Sequence, residues 1–226
     1  MSDLNFEPLI VRAYMQTPII SDQFLPFDSV LYNQLIRYKE GRKEVTYSRE
    51  STVKEFTGNQ LPIQKRNIRE DDWYYASSFA VWHNFKQSKH QFAKRFDIDK
   101  AAKFVDFGGK KAEIDTKRGD FKNYFITEYT FNTEYVQWYL RGDRAVLERY
   151  LPFITHLGKH SKHGCGRVLR WELEATDKDF YLNDASGGVM RSIPSHKGNF
   201  VYGIRPSYWH PRHQTKVLMP DKILTI

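Results

Sequence analysis

The chain has 226 residues, 40% of them hydrophobic and 15% aromatic, which is enough to bury a core in one ample domain and excludes wholesale disorder. Lys and Arg number 35 against 27 Asp and Glu, a formal net charge of +8 that points to a polyanionic partner. One cysteine, Cys165, leaves no internal disulfide and no cysteine-rich zinc site to build.

No apolar run reaches the roughly 18 residues of a membrane span, and Arg12 interrupts the short apolar stretch near the start. Neither membrane contact nor a secretory leader is expected, and the setting reads as cytoplasmic. Residues Pro8–Met15 alternate Leu9, Val11, Ala13 and Met15 against Ile10, Arg12 and Tyr14, the period of a strand. Asp28 can then cap a helix carrying Val30, Leu31, Leu35 and Tyr38, stopped near Gly41. The stretch Arg42–Glu70 is polar and receives no element. Trp73–Trp82 alternates again, with Trp73, Tyr75, Phe79 and Val81 on one side, and predicts a second strand.

From 83 to 122 the texture changes to cations mixed with isolated aromatics, punctuated by Gly108-Gly109 and Arg118-Gly119-Asp120. Its thin apolar content predicts an insertion protruding from the sheet. Asn123–Phe131 and Thr133–Leu140 regain strand character. Asp143 then caps a second helix through Val146, Leu147, Tyr150, Leu151 and Ile154, with Pro152 kinking or restarting it. After a glycine-containing loop, Val168–Glu174 alternates Leu169, Trp171 and Leu173 against Arg170, Glu172 and Glu174, a half-buried strand. The order predicts an α+β fold with a βαββαβ, ferredoxin-like (RRM-like) core. Residues 1–226 then form a single domain, with a basic insertion at about 83–122 and an irregular C-terminal extension at about 176–226 that adds short edge strands.

The charges are segregated. Between Leu157 and Arg170 stand Lys159, Lys162, Arg167 and Arg170 with His160 and His163, and between Arg191 and Pro220 stand Arg191, Lys197, Arg205, Arg212 and Lys216, and neither span contains an acid. Such clustering favours nucleic acid over an evenly solvated shell. The densest signal is Leu157-Gly158-Lys159-His160-Ser161-Lys162-His163-Gly164-Cys165-Gly166-Arg167. Gly158, Gly164 and Gly166 allow positive φ and close approach to a ligand, successive N–H groups can form an anion nest, and Lys159, Lys162 and Arg167 supply charge for phosphates. The loop precedes a strand rather than opening a helix, so it is neither a P-loop nor a dinucleotide fingerprint.

The run "THLGK" followed by "HSKHGCGRV" resembles the glycine-rich loop of the repeat-associated mysterious protein (RAMP) superfamily of CRISPR systems. The segment "FLPFDSVLYNQLI" and the late "RPSYWHP" are similar to the Cas-five-like, 5′-handle-binding subunits of type IV CRISPR effector complexes. The resemblance covers Pro8–Tyr38 and Tyr150–Trp209. It implies a non-catalytic subunit with an inserted thumb, gripping the 5′ handle of a CRISPR RNA (crRNA) and capping the backbone filament. Its partners would be the crRNA, a Cas-seven-like backbone subunit and a large or small effector subunit, with target DNA met only through the complex.

On that reading the RNA-binding residues are Gly158, Lys159, His160, Lys162, His163, Gly164, Gly166 and Arg167 in the loop. Lys89, Lys94, Arg95, Lys110 and Lys111 lie on the insertion, and Arg205, Tyr208, Trp209 and Arg212 near the end. No cofactor and no metal is expected. The alternatives are a metal-independent repeat endonuclease, with His160 or His163 and Lys159 or Lys162 moving protons and charge, and a basic scaffold for an acidic protein. His210 and His213 lack a carboxylate or cysteine at zinc-ligand spacing, Trp209 serves equally as a core anchor, and Cys165 reads as structural.

Overall fold

The computed structural model describes residues 4–39, 61–68, 72–104, 115–198 and 200–226. In chain order the elements are β1 (Glu7–Met15), α1 (Phe27–Lys39), β2 (Lys65–Asn67), β3 (Trp73–Tyr75), β4 (Val81–Trp82), β5 (Lys86–Lys94), α2 (Ile98–Phe104), β6 (Tyr124–Asn132), β7 (Tyr135–Gly142), α3 (Arg144–Tyr150), β8 (Val168–Ala175), β9 (Ile193–Pro194), β10 (Phe200–Gly203) and β11 (Gln214–Leu218). The fold is mixed α/β, mostly strand, in several small antiparallel sheets. It divides into two compact units, 1–86 with 131–226 and 87–130.

The larger unit is built on a four-stranded sheet in the order β4-β7-β1-β8, every neighbouring pair antiparallel. Helix α1 lies between β1 and β4 in sequence and α3 between β7 and β8. Leu9, Val11 and Ala13 of β1 join Val136, Trp138 and Leu140 of β7 in one buried cluster with Phe27, Leu31 and Leu35 of α1 and Leu147 of α3. Each such side chain stabilises the unit by about 1.5–3 kcal/mol when fully withdrawn from water. The α3 cap is as its sequence predicts: Asp143 Oδ1 accepts from the Val146 N–H at 3.0 Å, and the 3-10 turn Leu151–Phe153 takes over where Pro152 ends the helix.

Three elements differ from expectation. Asp28 is not the cap of α1, which opens one residue earlier at Phe27; Asp28 is fully buried in its first turn and accepts the Tyr208 hydroxyl. The span Trp73–Trp82 is not one alternating strand. Its amides go to different partners (Ala76 to Gln64, Ser78 to Tyr139, Phe79 to Met190 and Ala80 to Leu25), so the ladder breaks and 75–82 is buried throughout. In β8, pairing shifts between Ala13–Trp171, Tyr14–Arg170 and Met15–Val168, leaving Leu169 as the extra residue of a bulge. The bulge turns Leu169 outward, 61% exposed, and gives its core position to Val168.

The segment 176–226 carries a three-stranded sheet in the order β10-β11-β9. Strand β2, within the stretch Arg42–Glu70 that has no predicted element, pairs with β3; residues 42–60, 69 and 70 of that stretch lie outside the described residues. In the smaller unit β5 pairs with β6, so the protruding segment expected at 83–122 overlaps a unit that β6 carries on to Thr130. Among the described residues no helix is long and apolar enough to cross a membrane.

Candidate nucleic-acid interface

The glycine loop is held by its own backbone. Gly158, Gly164 and Gly166 have φ of 76, 81 and 69°, and His160 joins them in the left-handed region at 58°. Around the 3-10 turn Ser161–His163, the Lys159 N–H donates to Ile20 O at 2.7 Å, Gly166 N–H to Pro18 O at 2.7 Å and Leu157 N–H to Gly166 O at 2.8 Å. Thr17 Oγ1 donates to Gly164 O at 2.7 Å and accepts from the Arg167 N–H at 2.8 Å. The loop is therefore stitched to the link between β1 and α1 along both of its limbs.

This pattern corrects two expectations about the glycines. A Cβ on Gly166 would stand 1.9 Å from Leu157 O, and one on Gly158 would stand 2.3 Å from Ile20 O. The close approach these two residues permit is to the protein's own chain. Only Gly164 of the three has open space where its Cβ would be. The amides of His163, Gly164, Cys165, Gly166 and Arg167 all donate to protein oxygens, so this run does not form the anion nest that three glycines suggested. What the loop offers instead is a fixed frame with exposed Lys159, Lys162, His163 and Arg167 and a half-buried His160. The rings of His160 and His163 lie 5.7 Å apart.

Cys165 is half-buried, and burial pushes its thiol up, away from the thiolate a nucleophile needs. Near the C-terminus the four predicted contacts separate. Tyr208 directs its hydroxyl inward to Asp28, at 2.9 Å from each carboxylate oxygen, and Arg205 is buried with its guanidinium over Trp73. Those two have partners inside the unit; Trp209 and Arg212 are on its surface. His210 and His213 are buried, His210 Nδ1 accepting from the Arg212 N–H at 3.3 Å as the cap of a 3-10 turn. Among the described residues no group of three or more His, Cys, Asp or Glu converges as metal ligands would. In the smaller unit Lys89, Lys94 and Arg95 are exposed, as are Phe125 and Tyr129, and the Lys89 ammonium lies 5.7 Å from the Tyr129 ring centroid. Lys110 and Lys111 lie outside the described residues.

Sequence reasoning missed a row of planar groups across the sheet face opposite the helices. Arg170 on β8 lies over Tyr14 on β1 with Cζ 3.4 Å from the ring centroid. Tyr14 neighbours Tyr135 on β7 at 5.2 Å, and Tyr135 stacks on His83 at 4.3 Å and 10°. Alternation marked Tyr14 and Arg170 as outward-facing, but only strand register brings them together.

A search of the curated proteins finds no match to the chain. The family model of CRISPR type IV associated protein Csf3 matches residues 7–220, nearly the whole of both units. Because that match spans nearly the whole chain, the chain belongs to the CRISPR type IV associated protein Csf3 family.

Proposed function

We propose that the chain is a non-catalytic RNA-binding subunit of a type IV CRISPR ribonucleoprotein, working in the cytoplasm, that grips the 5′ handle of the crRNA and caps the backbone filament. The observation that carries this reading is the stitched loop. A frame fixed from Pro18 and Ile20 on one side and Thr17 on the other holds Lys159, Lys162 and Arg167 outward, so little ordering entropy is lost when phosphates bind. The order strand-helix-strand-strand-helix-strand, with sheet order β8-β1-β7-β4, supports a ferredoxin-like core. The smaller unit, with Lys89, Lys94 and Arg95, takes the role of the thumb. Cas-seven-like and large or small effector subunits are its protein neighbours, with target DNA reached through the assembly.

Two measurements test the reading. If about five phosphates are neutralised, log affinity for single-stranded RNA falls against log salt with a slope near −3.5. Replacing Lys159, Lys162 and Arg167 together by alanine lowers that affinity about 100-fold and flattens the slope, while the melting temperature stays close to that of the unaltered chain, because all three side chains are exposed. A flat salt response in the unaltered protein contradicts the reading. The His160–His163 pair carries the runner-up, a metal-independent repeat endonuclease. End-labelled repeat RNA incubated in chelator and run on a denaturing gel separates the two, since a discrete shorter product belongs to the nuclease alone.

A further inference from the structure

The planar row ends on an edge strand. Tyr14 is the cross-strand neighbour of Arg170 on one side and of Tyr135 on the other, so the Arg170 guanidinium is the last rung before the edge of the sheet. Its inner face is spent on Tyr14. Its Nε–Nη2 edge is engaged as well, because Nε and Nη2 both donate to Glu172 Oε1, at 3.1 and 3.0 Å. Glu172 thus holds the guanidinium in place over the Tyr14 ring. The Arg170 side chain nevertheless remains 50% exposed, and among the described residues no strand pairs with the outer edge of β8.

A guanidinium with its Nε–Nη2 fork held by a carboxylate is less well set to bind a phosphate, since that fork is occupied and the local charge is partly cancelled. What it presents outward is also a rigid, planar, polarisable face, which suits the π-surface of an unpaired nucleobase. The loop cations adjoin it. Arg167 precedes Arg170 by three residues, roughly 10 Å of strand, and Gln16, two residues after Tyr14, donates its N–H to Arg167 O at 2.8 Å. A strand whose phosphates meet Lys159, Lys162 and Arg167 therefore has a base within reach of the Arg170 face.

We infer that Arg170, pre-stacked on Tyr14 and clamped by Glu172, is a base-stacking platform that takes one unpaired nucleobase of a single-stranded RNA on its outer face. This rests on the RNA-binding reading above and adds a recognition element to it. Stacking is tolerant of sequence, so the platform positions a nucleotide and separates it from its neighbours without selecting its identity.

The test uses the full chain with two probes, a fluorescein-labelled single-stranded RNA 12-mer and an abasic ribose-phosphate oligomer of the same length. Arg170→Lys keeps the charge and removes the plane. The expected result is a loss of about tenfold in affinity for the RNA, as befits one lost stacking contact, with affinity for the abasic oligomer unchanged. With 2-aminopurine in the RNA, the unaltered protein quenches its fluorescence on binding and Arg170→Lys does so less. Equal RNA affinity and equal quenching in the variant overturn the platform and leave the RNA-binding reading intact. Equal losses on both oligomers show a phosphate contact and also overturn it. An unaltered chain that binds neither oligomer overturns the RNA-binding reading and the platform with it.

Discussion

Gly166→Ala is expected to lower the thermal midpoint by roughly 10 °C or more, whereas Gly164→Ala, two residues away and at a similar φ, is expected to lower it by only a few degrees. Both substitutions force an L side chain into the left-handed region, which costs about 1–2 kcal/mol. At Gly164 nothing stands within 4 Å of the new Cβ, so that strain is the whole cost. At Gly166 the Cβ would stand 1.9 Å from the Leu157 carbonyl oxygen and 2.9 Å from its carbon. Backbone cannot swing aside as a side-chain tip can. Relief has to separate Leu157 from Gly166, breaking the 2.8 Å bond between them and straining the 2.7 Å bond from Gly166 to Pro18. Each bond is worth about 1 kcal/mol net, and Leu157 is a buried member of the core cluster, so the total reaches about 4 kcal/mol. For a chain of this size each kcal/mol moves the midpoint by about 2–4 °C. The pair also separates stability from binding. Gly164→Ala keeps the fold but puts a methyl group on the open side of the loop, where the proposed RNA passes, so its RNA affinity falls while its midpoint drops by only those few degrees. Calorimetric melts of the two variants check the first part, and a Gly166→Ala protein melting within 2 °C or so of the unaltered chain contradicts it.

The contrast between those glycines explains how far the sequence could be read. Strands β1 and β7 and the cap of α3 were legible because they are half-buried or local: one face packs and the other is wet, or Asp143 reaches its own Val146. The region 75–82 was not, because the C-terminal extension covers it on the side away from the core (Arg191 bonds Tyr75 O and Ser77 O) and burial on both faces erases the alternation. Leu169 misled because a bulge shifts the period by one residue, and a bulge is a property of the pair, not of one strand. The glycine loop was found by its composition, yet composition cannot tell a glycine that admits a ligand from one that admits Leu157 O. Charge counts failed in the same way. Arg191 belongs to a basic run free of acids, but it is 1% exposed, and the run's surface cations are Lys197, Arg212 and Lys216.

Replacing Arg191 by methionine is expected to destabilise the larger unit by about 4 kcal/mol, and the pH dependence of that loss identifies its source. The guanidinium donates to the carbonyl oxygens of Tyr75, Ser77, Ser192 and Ile204, tying the C-terminal extension to the segment between β3 and β4. Methionine fills much of the volume and leaves those carbonyls buried without their donor, a loss in the range found when one partner of a buried charged network is removed. Arg191 also opposes the burial of Asp28. That carboxyl is fully withdrawn from water in the first turn of α1, facing the Tyr208 hydroxyl and the Ser29 N–H, with Tyr75 and Tyr202 nearby. Burial raises its pKa from 3.8 to about 6, against the lowering influence of Arg191 and the Tyr208 bond. The folded chain therefore holds a proton between about pH 4 and pH 6 that the unfolded chain releases. Stability contributed by this group is fully present below pH 4, falls by up to about 3 kcal/mol as the pH rises to 6, and is level above it. Asp28→Asn keeps an acceptor for Tyr208 and removes the titration, so urea unfolding at pH 4, 5, 6 and 7 loses this downward slope. In Arg191→Met the carboxyl has no nearby positive charge, its pKa climbs further, and the falling limb extends above pH 6. A variant that loses stability equally at every pH would show that Arg191 acts on the carbonyls alone, and that the carboxyl beneath Tyr208 does not feel its charge.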